Sequence, residues 1–182
     1  MKVLLINGSP HEKGCTYTAL SLIAGELKAQ GIETEILHVG GQPGGGCIGC
    51  GGCRSGNGCV FGGVVNEAIE KAKTADAFVF GSPVHYASAA GNMASFMDRL
   101  AYAGGKYLAY KPAAVCCSAR RAGTTSTLDQ LVKYPQFFHM PLVNGSYWAM
   151  VHGSNPEQVL QDAEGCAVMQ ELGRNMAWLL RC

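Results

Sequence analysis

Lys2-Val-Leu-Leu-Ile6-Asn7-Gly-Ser-Pro-His-Glu-Lys-Gly14-Cys15-Thr16 decides the architecture. Lys2 to Ile6 is a near-continuous apolar run of strand length, the pattern of a parallel strand buried on both faces. A polar loop follows, and beyond it Leu20, Ile23, Ala24 and Leu27 recur at helical spacing until Gly31, where a glycine just past a helix end belongs. The unit reads strand, loop, helix. Outward from it the pattern repeats. Ile32 to Val39 reads as a strand, and Val64 to Thr74 as a helix with Ile69 and Ala72 inward. Ala77 to Phe80 is a third apolar strand, running into Gly81-Ser82-Pro83, the tripeptide that also follows the first strand. A loop through Gly91, a helix from about Asn92 to Tyr102 and the strand Ala113 to Cys117 come next. A helix from about Thr125 to Tyr134, a last strand near Leu142 to Trp148 and a helix from Pro156 toward Leu180 complete the chain. Strands and helices alternating in this way imply right-handed crossovers and a doubly wound α/β sheet. Its ligand crevice lies at the carboxyl ends of the strands, where strand order reverses.

With 182 residues and 48% hydrophobic side chains, the chain has material for one well-buried core, so a single domain over 1–182 is expected. Charged residues make up 15% and the formal net charge is +1, with no block of like charges, which argues against nucleic-acid and membrane partners and for small molecules. The short apolar start reaches Asn7-Gly8 too early for a secretory signal, and no stretch is long enough to span a bilayer. Nine cysteines without an export signal read as reduced, ligating or catalytic thiols in a cytoplasmic protein.

Three loops at strand carboxyl ends carry candidate chemistry. In Ser9-Pro-His-Glu-Lys-Gly-Cys-Thr16, hydroxyls and free backbone N–H groups precede a helix N-terminus, an arrangement that suits a phosphate and equally suits an ordinary capped helix. Neither the Gly-x-Gly-x-x-Gly dinucleotide fingerprint nor a P-loop is present. The second loop, Ser82 to Gly91, offers His85, Tyr86 and backbone amides against which a flat heteroaromatic ring could lie; alternatively the two rings cover the sheet edge. The third places Arg120 and Arg121 beside Gly123 and Thr124, where a guanidinium could steer an anionic nucleotide or offset charge on a reduced ring, or be merely solvated.

Between the second strand and the following helix, Cys47, Cys50, Cys53 and Cys59 lie in a glycine-rich run with two, two and five residues between them. Such spacing can bring four thiolates to an iron–sulfur cluster, and it also suits tetrahedral zinc or a set of reduced thiols. Cys116 and Cys117 fall in a core strand and act there as small hydrophobes.

Asn7-Gly-Ser-Pro with Gly14-Cys-Thr16, the Cys47 to Cys59 run, Phe80-Gly-Ser-Pro-Val84, and Ser118-Ala-Arg with Gly123 together resemble the flavodoxin-fold NAD(P)H-dependent FMN reductases, and within them the iron–sulfur flavoproteins. The resemblance covers nearly the whole chain. It implies a flavodoxin-like doubly wound five-stranded parallel sheet of order 2-1-3-4-5 with helices on both faces, a bound FMN, NAD(P)H as co-substrate and a homodimer. Ser9, His11, Cys15, Thr16 and Thr18 become phosphate contacts, with Lys13 supplying charge. Pro83, Val84, His85 and Tyr86, with Ser118, Arg120, Arg121 and Gly123, become ring contacts. The four run cysteines become ligands of a [4Fe-4S] centre. The implied activity moves a hydride from NAD(P)H through FMN to a flavin or other small-molecule acceptor; the alternative is an electron-transfer module fed by a ferredoxin-type donor. The sequence departs from the family pattern in three places: His11 and Cys15 stand where Arg or Lys and Asn are usual, His85 takes the usual tyrosine position, and Phe61-Gly-Gly63 replaces acidic residues after the last cysteine.

Overall fold

The structure, a computed structural model, describes residues 1–41 and 44–182. Its elements run β1 (Lys2–Asn7), α1 (Cys15–Ala29), β2 (Glu33–His38), α2 (Val64–Thr74), β3 (Ala77–His85), β4 (Ser88–Ala89), α3 (Gly91–Gly104), β5 (Ala113–Ala119), α4 (Thr124–Phe137), β6 (Met150–His152), α5 (Pro156–Gln161) and α6 (Ala163–Leu179). The parallel order is β2-β1-β3-β5-β6, and β4 pairs antiparallel with the end of β3. The expected 2-1-3-4-5 path is therefore present, with one short strand added off it.

Strand alternation sorts the apolar side chains into two cores. Leu4 and Ile6 of β1, Phe78 and Phe80 of β3, and Val115 and Cys117 of β5 pack on the face that also buries Ile69, Met93, Met97 and Leu131 of α2, α3 and α4. Val3 and Leu5, Ala77 and Val79, and Ala114 and Cys116 point the other way, against Leu20 and Ile23 of α1 and Met169, Leu172 and Met176 of α6. Because both faces are covered, the central strands read as continuous apolar runs rather than alternating ones.

Three expectations need correction. The last strand is not Leu142 to Trp148 but Met150–His152. Ala113 pairs with Leu142 in an isolated bridge, yet Cys117 pairs with Met150, so the edge chain carries four extra residues between the two pairings. That bulge carries Tyr147 and Trp148 out to solvent; their β propensity resembles a strand locally, and only the register reveals the excursion. The helix from Pro156 is two helices, broken where Asp162 turns its carboxylate to the Gly165 N–H and caps α6. Finally, β3 does not stop at Phe80: Gly81, Ser82 and Pro83 pair with Cys116, Cys117 and Ser118, and the chain continues into a hairpin.

Candidate functional site

The carboxyl ends of β1, β3 and β5 meet at one rim. Asn7 holds the first loop in shape: its Nδ2 donates to the Glu12 carbonyl at 2.9 Å, and its Oδ1 accepts from the Ser9 N–H at 3.1 Å. Ser9 Oγ in turn accepts from the His11 N–H at 3.1 Å, an internal turn that leaves His11 and Lys13 exposed. Below it, Thr16 Oγ1 and Ser118 Oγ share a hydrogen bond of 2.8 Å with both residues buried, tying the start of α1 to the end of β5. Thr18 donates back to the Gly14 carbonyl at 3.2 Å.

Helix α1 begins at Gly14 with no side-chain cap and no acidic residue in its first turn. The positive end of its macrodipole lies beside exposed His11, Glu12 and Lys13, a dipole end that favours an anion, with one carboxylate next to it. The starts of α2, α3 and α4 also lack a side-chain cap, whereas those of α5 and α6 are closed by Asn155 and Asp162. The α1 terminus opens on a cleft of about 510 Å³ between residues 10–15 and the loop Ser154–Pro156. Cys15 borders it, its Sγ donating to the Gly153 carbonyl at 3.6 Å; burial pushes this thiol up, so it stays neutral there.

The second loop is a two-residue hairpin. His85 pairs with Ser88, and the two residues between them, Tyr86 and Ala87, both have positive φ, 52° and 59°, which is the type I′ turn suited to the strand twist but costly for residues with a Cβ. Tyr86 is fully exposed at its tip. The hairpin is held by Gln130 of α4, whose Oε1 accepts from Ser88 Oγ at 2.7 Å and from the Ala89 N–H at 2.8 Å, and by Ser82 Oγ, which accepts from the Ala90 N–H at 3.0 Å. Gly123 of the third loop has φ 92°, and a Cβ there would stand 2.8 Å from Ala87 Cα, so glycine lets the second and third loops touch. Pro83 and Val84 are half-buried beneath the turn, while His85, Arg120 and Arg121 project to solvent.

The structure thus brings the three loops together, and it divides the candidates. Ser9, Thr16 and Ser118 are buried braces already hydrogen-bonded to protein; His11, Lys13, His85, Tyr86, Arg120 and Arg121 are the exposed ones. Several residues that complete the rim were not among the sequence candidates. Asn7 is one. His38 is another: its ring Nε2 lies 2.7 Å from the Ser9 carbonyl. Asn92 donates to the Gly40 carbonyl at 3.0 Å, and a Cβ on Gly40 would collide with the Ser9 carbonyl, so the chain leaving β2 lies directly against the first loop. Only the polar residue closing an apolar strand, Asn7, gave a readable signal; the others act through contacts distant in sequence.

The cysteine run lies beside α3. It contains one 3-10 turn, Gly52–Ser55, and reverses at left-handed Gly49 and Gly51 on either side of Cys50. Cys47, Cys50, Cys53 and Cys59 all line one cavity of about 180 Å³, closed by Ile48, Val60, Phe61, Arg99, Tyr102 and Ala103. Asn66 of α2 clamps Cys59 from both sides, accepting from its N–H at 2.8 Å and donating to its carbonyl at 3.0 Å. Among the described residues, no group of three or more His, Cys, Asp or Glu is drawn close enough to hold a single metal ion.

The sequence model of the family described as NADPH-dependent FMN reductase matches residues 1–155. An iron-sulfur flavoprotein of Methanocaldococcus jannaschii is 28% identical over 189 aligned residues, covering 100% of this chain and 98% of its own. An iron-sulfur flavoprotein of Archaeoglobus fulgidus is 36% identical over 99 residues, covering 54% of this chain and 48% of that one. Among solved structures, RosB with a bound riboflavin-phosphate intermediate superposes with a TM-score of 0.76 at 14% identity, covering 100% of this chain and 79% of RosB. An NADH:FMN oxidoreductase in its apo form gives 0.72 at 15% identity, covering 98% and 89%. At these identities the structural likeness speaks for the fold alone.

Proposed function

The chain belongs to the NADPH-dependent FMN reductase family, a family of flavin-dependent oxidoreductases, and from that premise we propose that it takes a hydride from NAD(P)H onto FMN bound at the three-loop rim and passes the electrons to a second acceptor. The observation that carries the reading is the uncapped start of α1, lying beside exposed His11 and Lys13 and tied by Thr16 to Ser118 at the neighbouring strand end. A phosphate there receives backbone N–H groups of the first helical turn and two adjacent side chains able to carry positive charge. Val84 to Ala87 of the hairpin, including exposed Tyr86, and Arg120 and Arg121 of the third loop would line the flavin ring. FMN when bound supplies hydride acceptance at N5 and the conversion of two-electron to one-electron traffic. The chain supplies orientation. The rigid type I′ turn fixes one wall, the Gln130 brace keeps it from folding back, and the outward arginines favour an anionic dinucleotide. No side chain is asked to act as an acid or base.

Cys47, Cys50, Cys53 and Cys59 would hold a [4Fe-4S] cluster in the same reading. The thiol-lined cavity favours it, and so does the full-length likeness to a relative named as an iron-sulfur flavoprotein. Helix α3 links the two sites: Asn92 sits at the rim and Arg99 at the cysteines, about 10 Å apart along the axis. That same cavity supports the second reading, an electron-transfer module fed by a ferredoxin-type donor. A single cytoplasmic domain assembled as a homodimer, with the partner covering the open ring face, completes the proposal. Anaerobic stopped-flow mixing of FMN-loaded protein with NADPH and with NADH tests it: bleaching of the flavin band on a catalytic timescale is expected, and its absence with both donors leaves the ferredoxin-fed module.

A further inference from the structure

The cysteine cavity has two charged residues in its lining, Arg54 and Arg99, and no carboxylate. Arg54 is exposed; Arg99 is not, and it is fixed by three partners. Its Nε donates to Cys59 Sγ at 3.3 Å, its Nη2 donates to the Gly62 carbonyl at 2.9 Å, and its guanidinium carbon lies 6.0 Å from the Phe61 ring centroid. A guanidinium so held costs little further ordering to keep its N–H on one sulfur. With Asn66 gripping the Cys59 main chain, this cysteine is positioned at both its backbone and its sulfur, whereas Cys47 and Cys50 are exposed.

We infer that Arg99 is a positioning residue for the cysteine site: through its hydrogen bond to Cys59 Sγ it raises the reduction potential of the iron–sulfur cluster held there, and so sets how readily electrons leave the flavin. The inference rests on the cluster reading above. One-electron reduction adds negative charge to a site that already carries four thiolates. A positive donor on a ligand sulfur stabilises that extra charge more than the oxidised state, and hydrogen bonds to sulfur and local net charge are established determinants of such potentials. Arg99 exchanges no proton; the electron arrives from the reductant and stays on the cluster.

The test uses the full-length protein, anaerobically loaded with iron, sulfide and FMN, in wild-type form and as Arg99→Met and Arg99→Lys. Iron, sulfide and FMN are counted per chain, and the cluster is titrated with dithionite while its spectrum is followed. Arg99→Met is expected to shift the one-electron equilibrium toward the oxidised form by about tenfold, equal to about 59 mV, with FMN content unchanged. Arg99→Lys, which keeps the charge but loses the fixed fork, is expected to fall between that variant and wild type. Potentials that coincide with wild type at equal iron content would overturn the inference; if Arg99→Met takes up no iron, the Arg99→Lys potential decides on the same terms. Wild-type protein that binds FMN but incorporates neither iron nor sulfide overturns the cluster reading itself, a result distinct from an unshifted potential.

Discussion

Tyr86 is the residue at which stability and function pull apart. Its left-handed backbone costs about 1 kcal/mol relative to glycine, and its fully exposed ring packs on nothing in the free chain. Tyr86→Gly should therefore leave urea stability unchanged or raise it by up to about 1 kcal/mol, while weakening FMN binding in a fluorescence titration. A stability loss with unchanged affinity would mean that the ring serves the fold. The thiols divide by environment in the same way. Burial pushes Cys117 up to about 12 and raises Cys116 further, with the neighbouring Cys117 adding to the effect, so neither forms the nucleophilic thiolate at neutral pH. Iodoacetamide on native, metal-free protein at pH 7.5 should modify the exposed Cys47, Cys50 and Cys182 first and leave Cys116 and Cys117 untouched, as read by peptide mass spectrometry. His85, Arg120 and Arg121 are nominated from sequence by loop placement and chemistry, and in the fold they stand exposed at the rim. His38 is not nominated, because its role lies in a hydrogen bond to backbone that only the fold brings near; Asn7 showed only as the polar residue closing an apolar strand, and its bonds to the loop come from the fold.

At the scale of elements, the open start of α1 is where the proposed phosphate site can be tested. Gly14→Asp offers a capping carboxylate at a position whose φ of −90° any residue adopts, with only a small shift of His11, whose Cβ would lie 3.0 Å from the new one. A cap gains a few tenths of a kcal/mol over glycine, whereas its charge opposes a phosphate. The melting temperature should hold or rise slightly, and the FMN dissociation constant should increase by about tenfold or more. Strand β2 carries a different electrostatic element. Glu35 bonds Lys2 of β1 and Lys71 of α2 at 2.8 and 2.6 Å, and those contacts hold its carboxyl below its ordinary value of 4.5. A lowered folded-state value means the stabilisation is complete above about pH 4.5 and disappears as acid protonates the folded group. Glu35→Gln should thus narrow the difference in stability between pH 6 and pH 3 measured by denaturant unfolding. The edge bulge before β6 marks the limit of reading elements locally: Val143, Tyr147 and Trp148 have strand composition, but four additional residues between the bridge at Leu142 and the pair at Met150 prevent a continuous ladder.

For the molecule as a whole, the βαβ alternation was legible because parallel strands buried on both faces leave unbroken apolar runs such as Val3 to Ile6 and Phe78 to Phe80. The rim was legible as three loops but not as a surface, since Gly123 against Ala87 and Thr16 against Ser118 join segments far apart in the chain. What organises the molecule is one helix, α3, with the three-loop rim at its start and the cysteine cavity two turns on. That geometry makes a joint cofactor inventory the most direct test of the account. Protein purified anaerobically and incubated with FMN, iron and sulfide should hold about one FMN, about four iron and about four acid-labile sulfide per chain. Protein that remains colourless and retains no FMN would contradict it.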